Sequence, residues 1–166
     1  GVTFVIATGG IDFSIGPVMF CSALIAGYLL TKSGVPLILA LLISILTGAA
    51  FGCLNGYLVA YWNLPSFITS MASMMLAKGI GSVFTKTQSV SWPQASQENG
   101  SFRMLVKITT SDGTQIPAGL IVLIVISIIC AVVLNKTKIG RYILCLGSNK
   151  EAVRLSGVNV KKWEML

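Results

Sequence analysis

The chain has 166 residues, 54% of them hydrophobic and 10% charged, with a formal net charge of +7 and a mean hydropathy of +0.84. A soluble domain carries about 25% charged residues, so a bilayer is the expected solvent. The composition excludes a solvated basic face for nucleic acid. Histidine is absent, and Cys21, Cys53, Cys130 and Cys145 lack metal-ligand spacing, so they read as small buried hydrophobes and no metal or cofactor is expected.

The chain opens on Gly1 inside an apolar run without a basic leader or cleavage site, and reads as an internal piece of a longer protein. Four apolar segments follow. The first, residues 2–30, is interrupted by TGGIDFSIG. Gly9 and Gly10 end a helix easily because glycine adopts positive φ. Asp12 or Ser14 then caps the next helix, and Gly16 and Pro17 fall within its first turn, where a missing N–H costs little. The motif therefore reads as a broken transmembrane helix. Such breaks are tolerated where protein or a cavity covers the backbone, and in transporters they mark the translocation region. Asp12 reads both as a cap and as a candidate for a pathway or gate, as an intramembrane carboxylate does by default.

The second segment, Leu37–Trp62, is 26 residues without a charge, enough to cross roughly 30 Å of hydrocarbon. Within it Gly48, Gly52 and Gly56 recur every four residues, a spacing that lets a second helix approach closely. Asn55 sits beside that face, where an amide requires a bonded neighbour or lines a pathway. In NLPSFITS, Ser66 is expected as the N-cap of the third segment, residues 67–84. There Met71, Met74 and Met75 read as core, and Lys78 must snorkel or face protein. A polar loop over residues 85–117 follows, in which FRMLVKITT is able to pair as a short strand and Asn99-Gly100-Ser101 is a chance glycosylation pattern. The fourth segment covers residues 118–134.

Lysine and arginine set the direction. Residues 135–166 carry seven basic side chains and residues 85–117 carry three. The first stretch is therefore assigned to the cytoplasm and the loop to the outside, which also puts the turn at residues 63–66 inside. The fold class is all-α: a polytopic transmembrane helical bundle with about four spans, one broken helix and a cytoplasmic helical region over residues 136–166. All of it belongs to one partial domain, 1–166.

Three stretches then carry a resemblance: TGGIDFSIG; GCLNGYLVAYWNLPSFITSMASMMLAKGI; and TKIGRYILCLGSNKEAVRLSGVNVKKW. In this order they resemble the membrane permease subunit of bacterial ABC importers for ribose and related simple sugars, a group that includes permeases for galactose and autoinducer-2. The likeness covers nearly the whole chain outside residues 89–114. Phe13, Ser66 and Val153 stand where the family pattern has leucine, proline and alanine. In the third stretch Gly147 is expected to stop one short helix, and Asn149 or Ser148 to cap the next. The resemblance implies that Glu151, Ala152 and Gly157 belong to a coupling helix that docks on an ATP-binding subunit, with charges such as Arg154 on its polar rim. It also implies a second permease subunit as homodimer or pseudo-dimer, an extracytoplasmic sugar-binding protein, and a place in the bacterial cytoplasmic membrane.

The chain lacks a phosphate loop and a carboxylate pair within a span, so it is not expected to be an enzyme. The competing class is an ion-coupled secondary transporter or channel, for which Asp12 and Lys78 are thin equipment. The break and the cytoplasmic elbow are expected at opposite ends of the molecule.

Overall fold

The computed structural model describes residues 2–91, 107–109 and 115–165. Its helices, numbered here in chain order, are α1 (Val2–Ala7), α2 (Ile15–Lys32), α3 (Leu37–Trp62), α4 (Ser66–Phe84), α5 (Ala118–Lys136), α6 (Lys138–Ser148), α7 (Lys150–Leu155) and α8 (Val160–Met165). Two short strands, β1 (Lys107–Thr109) and β2 (Gln115–Pro117), pair antiparallel with Ile108 opposite Ile116. The strand expected in FRMLVKITT is thus present at its C-terminal part. The Asn99-Gly100-Ser101 pattern lies outside the described residues.

Helices α2, α3, α4 and α5 are long and apolar enough to cross a membrane. Their ends follow from local chemistry. Helix α2 stops where Gly34 takes φ +64 just before Pro36. Helix α3 ends on Asn63, left-handed at φ 54, and Pro65 then bars its continuation. Ser66 is the first residue of α4 and not its cap, because its hydroxyl is engaged elsewhere. At the far end the Thr85 hydroxyl donates back to the Gly81 carbonyl at 2.9 Å.

Helices α2, α3 and α4 form the packed unit. Tyr28 meets Phe84 edge-on near the C-termini of α2 and α4, whereas Ser14 and Ser73 lie toward their N-termini on a shared partner, Asn55. Thus α2 and α4 run in the same direction and α3 runs against them. Cys21, Ile25, Phe51 and Ala77 make the main core, with Ala26, Leu30 and Ala40 in a second cluster. Close approach comes from α4, whose buried residues Thr69, Ser73, Ala77 and Gly81 recur every four positions. Gly81 faces Cys21 and Leu24 across that seam. Small side chains there bring backbones into van der Waals contact, which drives helix association when the solvent is itself apolar.

Several residues expected inside lie outside. Met71 and Met75 are on the outward face of α4, and Cys53 and Cys145 are exposed. Gly48 and Gly52 have nothing within 4 Å of a notional Cβ. In a bilayer the outward face is as apolar as the inward one, so apolarity does not report side. Helix α5 has no buried residue over Gly119–Lys136 and packs chiefly on α6 and β1.

Candidate functional site

The helix break is built by backbone first. Gly9 takes φ +81. Its N–H donates to the Ile6 carbonyl at 2.9 Å, and the Gly10 N–H donates to that of Val5 at 3.0 Å. These two bonds are the Schellman closure of a helix end, satisfying carbonyls that α1 leaves unpaired. Gly10 lies close to Val5 and Ser66, where a Cβ would stand 3.2 Å from Val5 Cγ1. Gly16 faces open space.

The break is unequal and is not at mid-depth. Helix α2 has 18 residues, about 27 Å, nearly a full crossing by itself. Asn55 lies about two turns, or about 10 Å, before the end of α3, and it bonds Ser14. The unwound stretch therefore sits near the end of the bundle where α3 turns into α4.

Partners from α3 and α4 satisfy its polar groups. The Ile11 N–H donates to Ser66 Oγ at 3.1 Å, and Ser70 Oγ donates to the Ile11 carbonyl at 3.5 Å. Asp12 Oδ1 accepts from both the backbone N–H and the hydroxyl of Ser14, each at 2.7 Å. Asp12 thus braces the residue at the head of α2 and does not cap the first-turn N–H groups, and the Ser14 side chain makes no cap bond. Ser14 Oγ accepts from Asn55 Nδ2 at 3.0 Å, and Asn55 Oδ1 accepts from Ser73 Oγ. Ser14 and Ser73 are almost completely buried. Phe13 closes the junction by meeting Phe67 edge-on at 5.8 Å.

Asp12, Ser14 and Asn55, candidates on separate grounds, therefore form one relay that joins three helices. Ser66, Ser70 and Ser73 complete the junction and were missed as members. Their signal was a run of hydroxyls on α4 at spacings of three and four, one face of a helix.

The C-terminal region forms a three-helix elbow. Thr137 caps α6 through the Gly140 N–H at 3.4 Å. Asn149 Oδ1 accepts from the Ala152 N–H at 3.1 Å, which starts α7 as its sequence suggested. Gly157, at φ +80, ends α7. Glu151 and Arg154 form an exposed pair at 3.5 Å, worth little by itself, and Ala152 is exposed beside them. Val153 is buried. Lys150 pairs with Glu164, and Tyr142 packs on Trp163 at 4.8 Å, so α8 folds back over α6 and α7.

Besides α5, which leads into it, the elbow rests on α3 and on α1. Helix α8 lies along the last turns of α3, with Lys161 Nζ 5.7 Å from the Tyr61 ring centroid. A Cβ on Gly56 would meet the Met165 carbonyl oxygen at 2.6 Å. Of the expected glycine stripe, Gly56 alone is closely approached, and by the elbow instead of a spanning helix. The second seat is α6 on α1, where Gly147 abuts the Ala7 carbonyl. Gly147 was expected to stop α6, but it lies within the helix. The break and the elbow thus share one end of the molecule. The expectation of opposite ends fails because the 18 residues of α2 cross on their own and leave the break at the near side.

Residues 1–166 match the family described as branched-chain amino acid transport system / permease component. The chain is similar to the fructose import permease protein FruG of Bifidobacterium longum, at 31% identity over 99% of this chain and 49% of that protein. It is 32% identical to the ribose import permease protein RbsC of Haemophilus influenzae over 98% of this chain and 49% of the relative. The Escherichia coli K12 protein of the same name is 30% identical over 100% and 50%. The chain spans about half the length of these relatives. No solved structure matches it.

Proposed function

Because the chain belongs to the family of branched-chain amino acid transport system permease components, we propose that it is part of the membrane permease of an ATP-driven importer of a simple sugar. It is a multi-pass protein of the cytoplasmic membrane, with four helices fit to cross. The observation that carries the reading is the likeness to ribose and fructose import permeases along almost its entire length. The ion-coupled alternative is not favoured.

In this reading residues 85–117 are the external loop and residues 136–166 the cytoplasmic coupling region. The charge rule supports that orientation, and the packing keeps its parts on one side. The elbow holds most of the basic residues. It also packs on the end of α3 whose turn the charge rule had placed inside.

Asp12, Ser14 and Asn55 hold the unwound backbone of Gly9, Gly10 and Ile11 beside the solute path, with Gly16 at its open edge. Asn149, Glu151, Ala152, Arg154 and Gly157 present a short capped helix to an ATP-binding subunit, which performs the hydrolysis. An external sugar-binding protein delivers the solute, and a second permease subunit completes the path; Gly48 and Gly52 leave a small-residue face open for helix packing.

The test is uptake of labelled ribose and fructose by vesicles holding the full-length permease with its ATP-binding and sugar-binding partners. Uptake that requires ATP and the sugar-binding protein is expected. Uptake that survives ATP depletion and collapses with an ion gradient would overturn the reading.

A further inference from the structure

The break and the elbow are far apart in sequence, yet the last turn of α6 closes on the end of α1. Gly147 is the residue at the meeting point. It has no positive φ, unlike Gly9 and Gly157, so its conformational freedom is not what the site uses. Its missing side chain supplies room. A Cβ there would collide with the Ala7 carbonyl oxygen and stand 3.4 Å from Thr8 Cα. Leu146, next to it, is 1% exposed, so α6 is firmly seated.

The peptide that faces Gly147 is the last before the chain unwinds. The Thr8 hydroxyl anchors it to the Val5 carbonyl at 2.8 Å, and Gly9 then turns the chain into the junction. From there each segment is bonded onward: Ile11 to Ser66 and Ser70, Asp12 to Ser14, Ser14 to Asn55, and Asn55 to Ser73. A displacement of α6 along its own axis therefore bears directly on the backbone of the break. The junction bonds present that displacement to α3 and α4 together.

We infer that Gly147 is a positioning residue through which the elbow sets the position of the helix break, so that movement of the elbow driven by the ATP-binding subunit shifts Asp12, Ser14 and Asn55. This rests on the function proposed above and adds the route by which hydrolysis reaches the solute path.

The test uses the complete transporter in liposomes, with Phe13 replaced by 4-fluorophenylalanine. That ring leans on Phe67, so its fluorine resonance reads the position of the break. The resonance is expected to differ between the nucleotide-free and ADP–vanadate-trapped complexes. Gly147→Ala is expected to keep its ATPase, lose that difference, and move about tenfold less sugar per ATP. Cys145→Ala, on the exposed side of α6, behaves as wild type. Thr8→Val adds no bulk at Gly147 but releases the Val5 anchor, and is expected to lower sugar per ATP by about threefold.

A wild-type resonance unchanged by nucleotide in a complex that transports sugar overturns the inference. So does a Gly147→Ala complex with unchanged resonance shift and stoichiometry. If Gly147→Ala does not assemble, the wild-type resonance and Thr8→Val decide in the same way. A wild-type complex that hydrolyses ATP without moving any sugar instead sinks the proposed function.

Discussion

At the scale of the residue, the junction turns on one oxygen. Asp12 Oδ1 accepts both protons that Ser14 offers, and Ser14 is 3% exposed. Water is poorly placed to replace that acceptor. Asp12→Ala strands a buried N–H and a hydroxyl, each such loss costing about 1–3 kcal/mol. Asp12→Asn keeps an oxygen in the same place. Uptake by Asp12→Ala is therefore expected to fall by about tenfold or more, with a lower unfolding temperature in detergent, whereas Asp12→Asn recovers most of both. Wild-type uptake by a well-expressed Asp12→Ala permease would remove the junction from the mechanism. Ser73→Ala takes away only the outermost link to Asn55, and hydrogen bonds between membrane helices average about 0.6 kcal/mol. Its effect should be correspondingly small.

At the scale of the element, most stops and turns were legible; the caps expected at Ser14 and Ser66 were not, because both hydroxyls are engaged by other segments, and neither were the packing partners. The stop at Gly9, the cap at Asn149 and the turn at Asn63–Pro65 depend on residues within a few positions, and each has a distinct chemical cause. The glycine stripe of α3 was legible as a face, but spacing does not name what packs on that face. Gly56 receives Met165 from α8, while Gly48 and Gly52 are open. The tight seam is carried by Thr69, Ser73, Ala77 and Gly81 of α4, whose mixed residue types hide the same four-residue period.

This difference sorts two substitutions. Gly56→Leu drives a side chain into the Met165 backbone, and overpacking costs about 1–3 kcal/mol. It is expected to lift α8 and raise tryptic cleavage at Lys161 and Lys162 by about tenfold. Gly48→Leu leaves that cleavage unchanged and weakens only assembly with the rest of the permease, read by size exclusion. Equal cleavage in the two variants would show that α8 does not rest on Gly56.

Helix α7, as the proposed coupling helix, makes its own forecast. Glu151 and Arg154 are both 72% exposed, so neither has a role inside this chain that its loss would reveal. Glu151→Arg, and Gly157→Trp with a bulky group at a φ +80 position, are expected to reduce capture of the ATP-binding subunit and its stimulated ATPase by about tenfold. Unchanged capture in both would mean that α7 is a juxtamembrane helix and not a docking element.

At the scale of the whole molecule, what matters is that motifs from both ends of the chain meet at one face. Composition could not reveal this, because the contact of Gly147 with Ala7 is non-local and leaves no periodic trace. The charge rule reached half of it by placing the turn after α3 and the basic elbow on one side. The packing of α8 along α3 joins them, and the bond from Ile11 to Ser66 adds the break to the same side. The orientation is therefore a single wager: one misplaced marker inverts the elbow, the turn and the break together. Arg154→Cys and Ser89→Cys test it, since both positions are exposed and stand in the two regions assigned to opposite sides. With the native cysteines, exposed Cys53 and Cys145 among them, replaced by alanine, a membrane-impermeant maleimide is expected to label Ser89→Cys and not Arg154→Cys in intact cells, and in inside-out vesicles the preference reverses. Labelling of Arg154→Cys from outside would turn the bundle over. The break would then lie beneath the external mouth, and Gly147 would lose any connection to ATP hydrolysis, because a nucleotide-driven subunit has no access to that face.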